Sequence, residues 1–427
     1  MQLGNARNGT PKEPKEPEAP VAVIGAGIGG LTLAVALASY GIPYRVFEKS
    51  RQLAEAGGGT ELSPNAVRPL LRLGLGPALR EHAVAIEAVE IRTRSGELMA
   101  REALGADCER AYGAPYLTLR RAHLHAALVS LTDKDRLHLG RRVASVRESA
   151  DGALLAFEDG AVSRADVAVG ADGVHSAVRA ACHGDAPAPS GLVMYRGVLP
   201  AAELPAAATD PLIRVWHGAG GHFACYPVAA GAQLSFAALV TLPEDSGEEP
   251  GDLAHVFAGW HGLAGAIAKV AGELRPWPVF DRHPLENWST RHVTLLGDAA
   301  HAMLPFLAQG ASQAVEDAVE LASCLADLPV SGISADPGAG LARYAARRIE
   351  RTSAIQRTAR QAAATLHLPD SSAQPDWYAL LTGCEEPPDL GPLFAYHAGL
   401  HAVPVNGMTR TAGPRPAELT AQTRSWR

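Results

Sequence analysis

Residues 21–50, VAVIGAGIGGLTLAVALASYGIPYRVFEKS, constrain the fold of this chain more than any other stretch. Such an apolar run suits a membrane anchor, a plain core element or a nucleotide site, and its internal order separates these. Val21–Ile24 is a short strand-like run, Gly25–Gly30 a glycine cluster, Leu31–Tyr40 a helical run closed by Gly41, and Tyr44–Phe47 a second strand ending at Glu48. A spanning helix would not carry a glycine cluster and a second strand, so the stretch predicts a βαβ unit. Within it, Gly25-x-Gly27-x-x-Gly30 follows the strand and opens the helix. Gly25 serves the tight turn, Gly27 lets a pyrophosphate approach the backbone, and Gly30 lets helix and strand pack closely. The helix N-terminus offers unpaired N–H groups and a partial positive charge to phosphates. Glu48 ends the second strand, where a carboxylate accepts hydrogen bonds from a ribose diol. Alone the glycine pattern is weak in a chain with 43 glycines. With strand, helix and acid in place it predicts a bound dinucleotide, NAD(P) or FAD.

The remaining chain bounds the context. Its 427 residues suffice for two domains, or for one with a substantial insert. A formal charge of −7 gives no basic footprint for nucleic acid. Five scattered cysteines without a CxxC pair argue for a reducing compartment and against a disulfide framework or a metal site. Residues 1–17 are polar and rich in Pro, Glu and Lys, and read as a disordered tail without the apolar core of a signal peptide. A cytoplasmic monomer or homodimer, without membrane contact, is expected.

Two later segments repeat one logic. ADVAVGADGVHSAVR (165–179) has an apolar strand-like run, then Asp172-Gly173, then a helical start. HVTLLGDAAHAMLPFLAQGASQAVEDAVELASCL (292–325) has a strand, then Gly297-Asp298, a loop through Pro305 and a long helix from about Gly310. In each, a buried parallel strand delivers a carboxylate at its C-terminal end, where ligands of open α/β sheets bind. Asp is also a favoured helix cap, so both acids admit a purely structural reading.

With Leu62–Ala66 (LSPNA) and Leu119–Leu128 (LRRAHLHAAL) in the same order, the chain resembles the FAD-dependent aromatic hydroxylases, the flavoprotein monooxygenases typified by p-hydroxybenzoate, salicylate and 3-hydroxybenzoate hydroxylases. The resemblance implies an α/β fold: a Rossmann-type FAD-binding domain with an inserted antiparallel-sheet substrate domain and C-terminal helices. The expected divisions are 18–80, 106–190 and 285–365 for the FAD domain, 81–105 and 191–284 for the substrate domain, and 366–427 for a C-terminal extension. It also implies cofactor roles for Gly25, Gly27 and Gly30, for Glu48 at the adenosine ribose and for Arg121 at the ribityl and pyrophosphate region, with Arg120 its neighbouring alternative. Asp298 is implied at the ribityl hydroxyls, Asp172 in a motif tied to FAD and nicotinamide nucleotide, and Pro305 and Gly310 beside the isoalloxazine. His301 is implied to be structural. Glu61 departs from the family, in which a neutral residue is common.

The implied reaction consumes NADH or NADPH and O2 and hydroxylates a small phenolic or amino/hydroxybenzoate-type ring through a flavin C4a-hydroperoxide. Tailoring of a larger natural product, or flavin chemistry without oxygen insertion, remain alternatives. In GHFACYPV, period-two alternation puts His222, Ala224 and Tyr226 on one face. At about 3.3 Å per residue, His222 and Tyr226 stand roughly 13 Å apart and can bracket one ring. His222 is the expected base for the substrate phenol, titrating near neutrality. Arg214 is a candidate carboxylate partner, and Arg196 reads as structural. LARYAARRIERTSAIQRTARQAAATLHLPD (341–370) reads as a long scaffold helix with a basic face.

Overall fold

Five strands form one parallel sheet in the order Val293–Leu295, Val167–Gly170, Val21–Ile24, Tyr44–Glu48, Leu137–Leu139. The computed structural model describes residues 20–53, 57–242, 251–272, 274–328, 333, 336–367 and 391–399. The expected N-terminal tail, and residues 368–390 and 400–427 of the C-terminal extension, lie outside the described residues. The central strand is wholly buried, as its unbroken apolar run requires of a sheet covered on both faces. The helix that follows, Ile28–Ser39, is apolar all round because it is packed between that sheet and the Gly310–Ala326 helix. Among the described residues no helix is long and apolar enough to cross a membrane.

The second layer is a seven-stranded sheet in the order Trp277–Asp281, Ala188–Pro200, Gln233–Thr241, Gly221–Val228, Leu212–Gly218, Ala88–Thr93, Leu98–Ala103. It is antiparallel except for one pair, Leu212–Gly218 with Ala88–Thr93, which runs parallel. These two strands come from distant parts of the chain, so no hairpin fixes their relative direction. One face of the sheet carries Phe223, Cys225 and Phe236 into a core closed by the Gly262–Val270 helix. The opposite face looks towards the parallel sheet.

The long helix Gly338–Leu366 corrects one expectation. Its arginines do not form an outward basic face. Arg348 is fully buried and binds Glu316 and, through Nε at 2.7 Å, Asp317. Arg351 reaches Glu316 at 2.8 Å and Arg347 reaches Glu320 at 2.6 Å. The physical reason is mutual: Gly310–Ala326 buries three carboxylates, and buried carboxylates need paired cations. Tyr396 lies under Arg351, whose guanidinium is 4.3 Å from its ring centre, and Arg68 donates to the carbonyls of Phe394 and Tyr396. The segment 393–399 is thereby folded against this ion-pair layer.

Candidate active site

Between the two sheets lies a cleft of about 380 Å³ that runs from the glycine loop to the open face of the seven-stranded sheet. At the first end the walls are backbone. Gly25 has φ +110, and a Cβ there would stand 2.3 Å from the carbonyl oxygen of Ala171; a Cβ on Gly30 would stand 2.0 Å from that of Gly25. These two glycines are demanded by close approach of chain to chain. Gly27 differs: it borders the cleft and a Cβ on it would meet nothing within 4 Å. Open space directly above the N-terminus of a buried helix fits a pyrophosphate.

Glu48 closes the loop from the next strand, accepting from the N–H of Ala26 at 2.8 Å and that of Ser50 at 2.8 Å. A carboxylate has lone pairs beyond these two bonds for a ribose diol. His125, not singled out by the sequence, holds the same loop through Nε2, 2.8 Å from the carbonyl of Ala26. Arg121 opens the Arg121–Leu131 helix and lines the cleft, whereas Arg120 turns away to Gln233. Asp298, exposed, and Pro305 line the cleft opposite. Ala308, in the left-handed region at φ 51, turns the chain into the Gly310–Ala326 helix, so that Gly310 and the helix N-terminus face the cleft.

Asp172 is placed otherwise. Its Oδ2 accepts from the N–H groups of Ala177 at 2.8 Å and Val178 at 3.4 Å, capping the Ala177–His183 helix. Its Oδ1 is buried without a partner, and the residue is not part of the cleft wall. His301 is buried against Asp317, Nε2 to Oδ2 2.5 Å, and serves the ion-pair layer. The LSPNA motif does the same: Asn65 donates to Glu316 at 2.5 Å.

At the other end the walls are side chains of the seven-stranded sheet. His222, Ala224 and Tyr226 face the cleft from Gly221–Val228, and Met194 and Arg196 join them from Ala188–Pro200. Arg214 does not: it is buried, donates to Asp210 at 2.5 Å and to the carbonyl of Ala207 at 2.7 Å, and lies 3.5 Å from Glu90. Its guanidinium is thereby held away from the cleft. Arg196 takes its place, its guanidinium 5.7 Å from the Trp277 ring centre and close enough to Tyr226 to favour the phenolate of that residue. Period-two alternation with Met194 on one strand was the signal that could have found it.

Electrostatics here correct a second expectation. Burial, with His367 and His217 beside it, pushes His222 down to about 3, far from neutrality. The ring is a neutral acceptor at pH 7 but cannot hold a proton by itself. Burial raises the Tyr226 hydroxyl as well. Glu61, on the strand Gly59–Leu62, lines the cleft; burial pushes its carboxyl up to about 7 although the Tyr116 hydroxyl donates to it at 2.7 Å.

Comparison with known proteins agrees with this architecture. Residues 18–359 match the family described as FAD binding domain. The 3-amino-4-hydroxybenzoate 2-monooxygenase of Streptomyces cremeus is 40% identical over 382 residues, covering 89% of this chain and 96% of the relative. The 3-hydroxybenzoate 6-hydroxylase of Klebsiella oxytoca is 32% identical over 356 residues, covering 81% and 88%. Among solved structures, Klebsiella pneumoniae HpxO complexed with FAD and uric acid superposes with a TM-score of 0.74 at 28% identity, covering 88% of this chain and 94% of that one. The open space at Gly27 and the helix N-terminus at Gly310 fit the cofactor these matches share, and the chain belongs to the FAD-binding family of aromatic monooxygenases.

Proposed function

We propose that this chain consumes NAD(P)H and O2 to hydroxylate a small phenolic or amino/hydroxybenzoate-type ring. The observation that carries the reading is one cleft with two chemically distinct ends: a dinucleotide cradle at Gly27 and Gly310, and a ring-sized wall bearing His222, Tyr226 and Arg196. The names of the relatives, which act on 3-amino-4-hydroxybenzoate and 3-hydroxybenzoate, support the substrate class.

Each residue then has a task. Gly27, Arg121, Asp298 and Gly310 hold FAD, with Glu48 at its ribose and Pro305 beside its ring. FAD, when bound, stores the electrons of NAD(P)H and activates O2. Arg196 takes the ring carboxylate by charge-assisted hydrogen bonds. Nε2 of His222 accepts the phenolic proton, which raises electron density ortho and para to the oxygen. Tyr226 bounds the far side of the ring, and Met194, Ala224 and Leu239 exclude water.

The test is turnover of purified holoenzyme with hydroxy- and aminobenzoates under isotopically labelled O2. The expected result is ring-accelerated NAD(P)H oxidation with one labelled oxygen in the product. NAD(P)H oxidation that yields only hydrogen peroxide, with every ring tried, would reassign the chain to flavin chemistry without oxygen insertion.

A further inference from the structure

His222 has a partner that the sequence did not suggest. His367 directly follows the long Gly338–Leu366 helix. Its Nε2 lies 3.0 Å from Nδ1 of His222, and its Nδ1 lies 2.7 Å from Oγ1 of Thr241, which is exposed. Phe306 packs on both rings, with centroids 4.9 and 5.6 Å away, and fixes their mutual tilt. His222 faces the cleft, while His367 and Thr241 face a second cavity of about 420 Å³. The two imidazoles therefore bridge the substrate end of the cleft and the outside.

We infer that His367 completes a proton relay from the substrate phenol through His222 to solvent. The inference rests on the proposed function, because it assumes a phenol at Nε2 of His222. Two tautomer pairs satisfy both contacts, and the relay runs from one to the other; in the starting pair Nδ1–H of His222 donates to Nε2 of His367, and Nδ1–H of His367 donates to Thr241. That pair leaves the lone pair of His222 Nε2 for the cleft. In the transfer, the phenol O–H breaks and an N–H forms at Nε2 of His222. The Nδ1 proton of His222 passes to Nε2 of His367, and the Nδ1 proton of His367 passes to Oγ1 of Thr241, whose own hydrogen leaves to water. One proton reaches solvent, one phenolate remains, and both rings are neutral in the opposite tautomer. When the product oxygen is reprotonated, a proton enters at Thr241, the same three transfers run backwards, and the starting tautomers are restored.

The electrostatics suit a conduit. Burial pushes His367 down to about 4 and His222 to about 3, so neither ring retains the proton it passes on. A lone His222 this acidic could not ionise a phenol of ordinary pKa near ~10; with the proton delivered to solvent, the pKa of the bound phenol against the bulk pH sets the ionisation, and the weak basicity of His222 no longer does. The titratable groups facing the pair are His217, from the strand beside His222, and Asp281, Arg282, His283 and Arg360 around the second cavity. Arg360 binds Asp281 and Arg282 binds Asp185, so these charges are held in fixed pairs.

The test mixes holoenzyme with 3-amino-4-hydroxybenzoate in lightly buffered solution and follows phenolate absorbance and an indicator dye. Wild type should form bound phenolate and release a proton together. His367→Gln should bind with a dissociation constant within about twofold of wild type, but form phenolate about tenfold more slowly or worse. In His367→Ala, added imidazole should restore the rate in proportion to its concentration, which a merely structural residue would not allow. Unchanged kinetics in His367→Gln, or slow kinetics in both variants that imidazole leaves untouched, overturn the relay while the functional reading stands. Wild type that binds the ligand without ionising it overturns the relay at once; wild type that neither binds nor hydroxylates any hydroxybenzoate overturns the functional reading, and the relay with it.

Discussion

At the cofactor end of the cleft the walls are backbone: Gly27, Gly29, Gly297 and Gly310 present main-chain surface and two helix N-termini. At the substrate end they are side chains: His222, Tyr226, Arg196 and Met194, from neighbouring strands of one sheet. Behind these walls Gly25 and Gly30 tolerate no side chain, because a Cβ on either collides with a carbonyl oxygen of the chain. Side-chain walls can be exchanged without disturbing the sheet beneath them, which is how one fold serves many rings. The difference teaches where substitutions should abolish the cofactor and where they should only change the substrate.

The largest expected effect falls on the backbone end. Gly30→Ala puts a methyl group 2.0 Å from the Gly25 carbonyl oxygen, a clash that only a shift of loop or helix relieves. The expected outcome is protein without visible-range flavin absorbance and with a low yield of folded chain. Gly27→Ala is the contrast, since its methyl group meets no protein atom. It should melt like wild type and yet bind FAD about tenfold more weakly, because the methyl group takes phosphate space. Retention of flavin at wild-type affinity would show that no phosphate comes there.

At the side-chain end the effects are smaller and selective. Arg196→Ala should weaken binding of a benzoate about tenfold or more, the loss of a charge-assisted hydrogen bond of about 1.5–3 kcal/mol, with flavin content unchanged. Arg214→Ala should leave that affinity alone and lower the melting temperature, because Asp210 and Glu90 lose their shared cation. Equilibrium titrations of both variants decide it: the reverse pattern would return Arg214 to the site.

The smallest effect sharpens the boundary between the two ends, where Glu61 sits. Its carboxyl stands at about 7 in the folded protein against an ordinary 4.5, because burial penalises the anion. Its stabilising contribution is therefore complete below 4.5 and lost as pH rises through about 7. Flavin-free wild type should lose a few degrees of melting temperature between about pH 4.5 and about pH 7.5, and Glu61→Gln should lose less. Parallel melting curves in the two proteins would mean that the Glu61 carboxyl is not perturbed by its site.

Legibility followed the same division. Gly25, Gly27 and Gly30, Glu48 and the strand-carried Asp298 lie in short contiguous motifs whose meaning is local, so the sequence located the parallel sheet and the glycine turn beside the cleft. Period-two alternation likewise put His222 and Tyr226 on one face. It did not separate the arginines: Arg214 read as the carboxylate partner and Arg196 as structural, whereas Arg214 is held by Asp210 and Glu90 and Arg196 lines the cleft; Asp172 takes the capping role that its residue type had left open. The arginines of the Gly338–Leu366 helix read as a basic face because their carboxylates stand on another helix.

By itself, then, the sequence determined the strand–glycine–helix–strand unit, the FAD-type order of motifs and the face on which His222 and Tyr226 stand, because hydrogen-bond geometry and side-chain period act over a few residues. The tertiary structure alone decided which arginine meets the cleft, that burial moves His222 far from neutrality, and that His367 stands 3.0 Å from it across 145 residues of chain. Desolvation and charge pairing depend on what surrounds a group in space, and those surroundings exist only once the chain has folded.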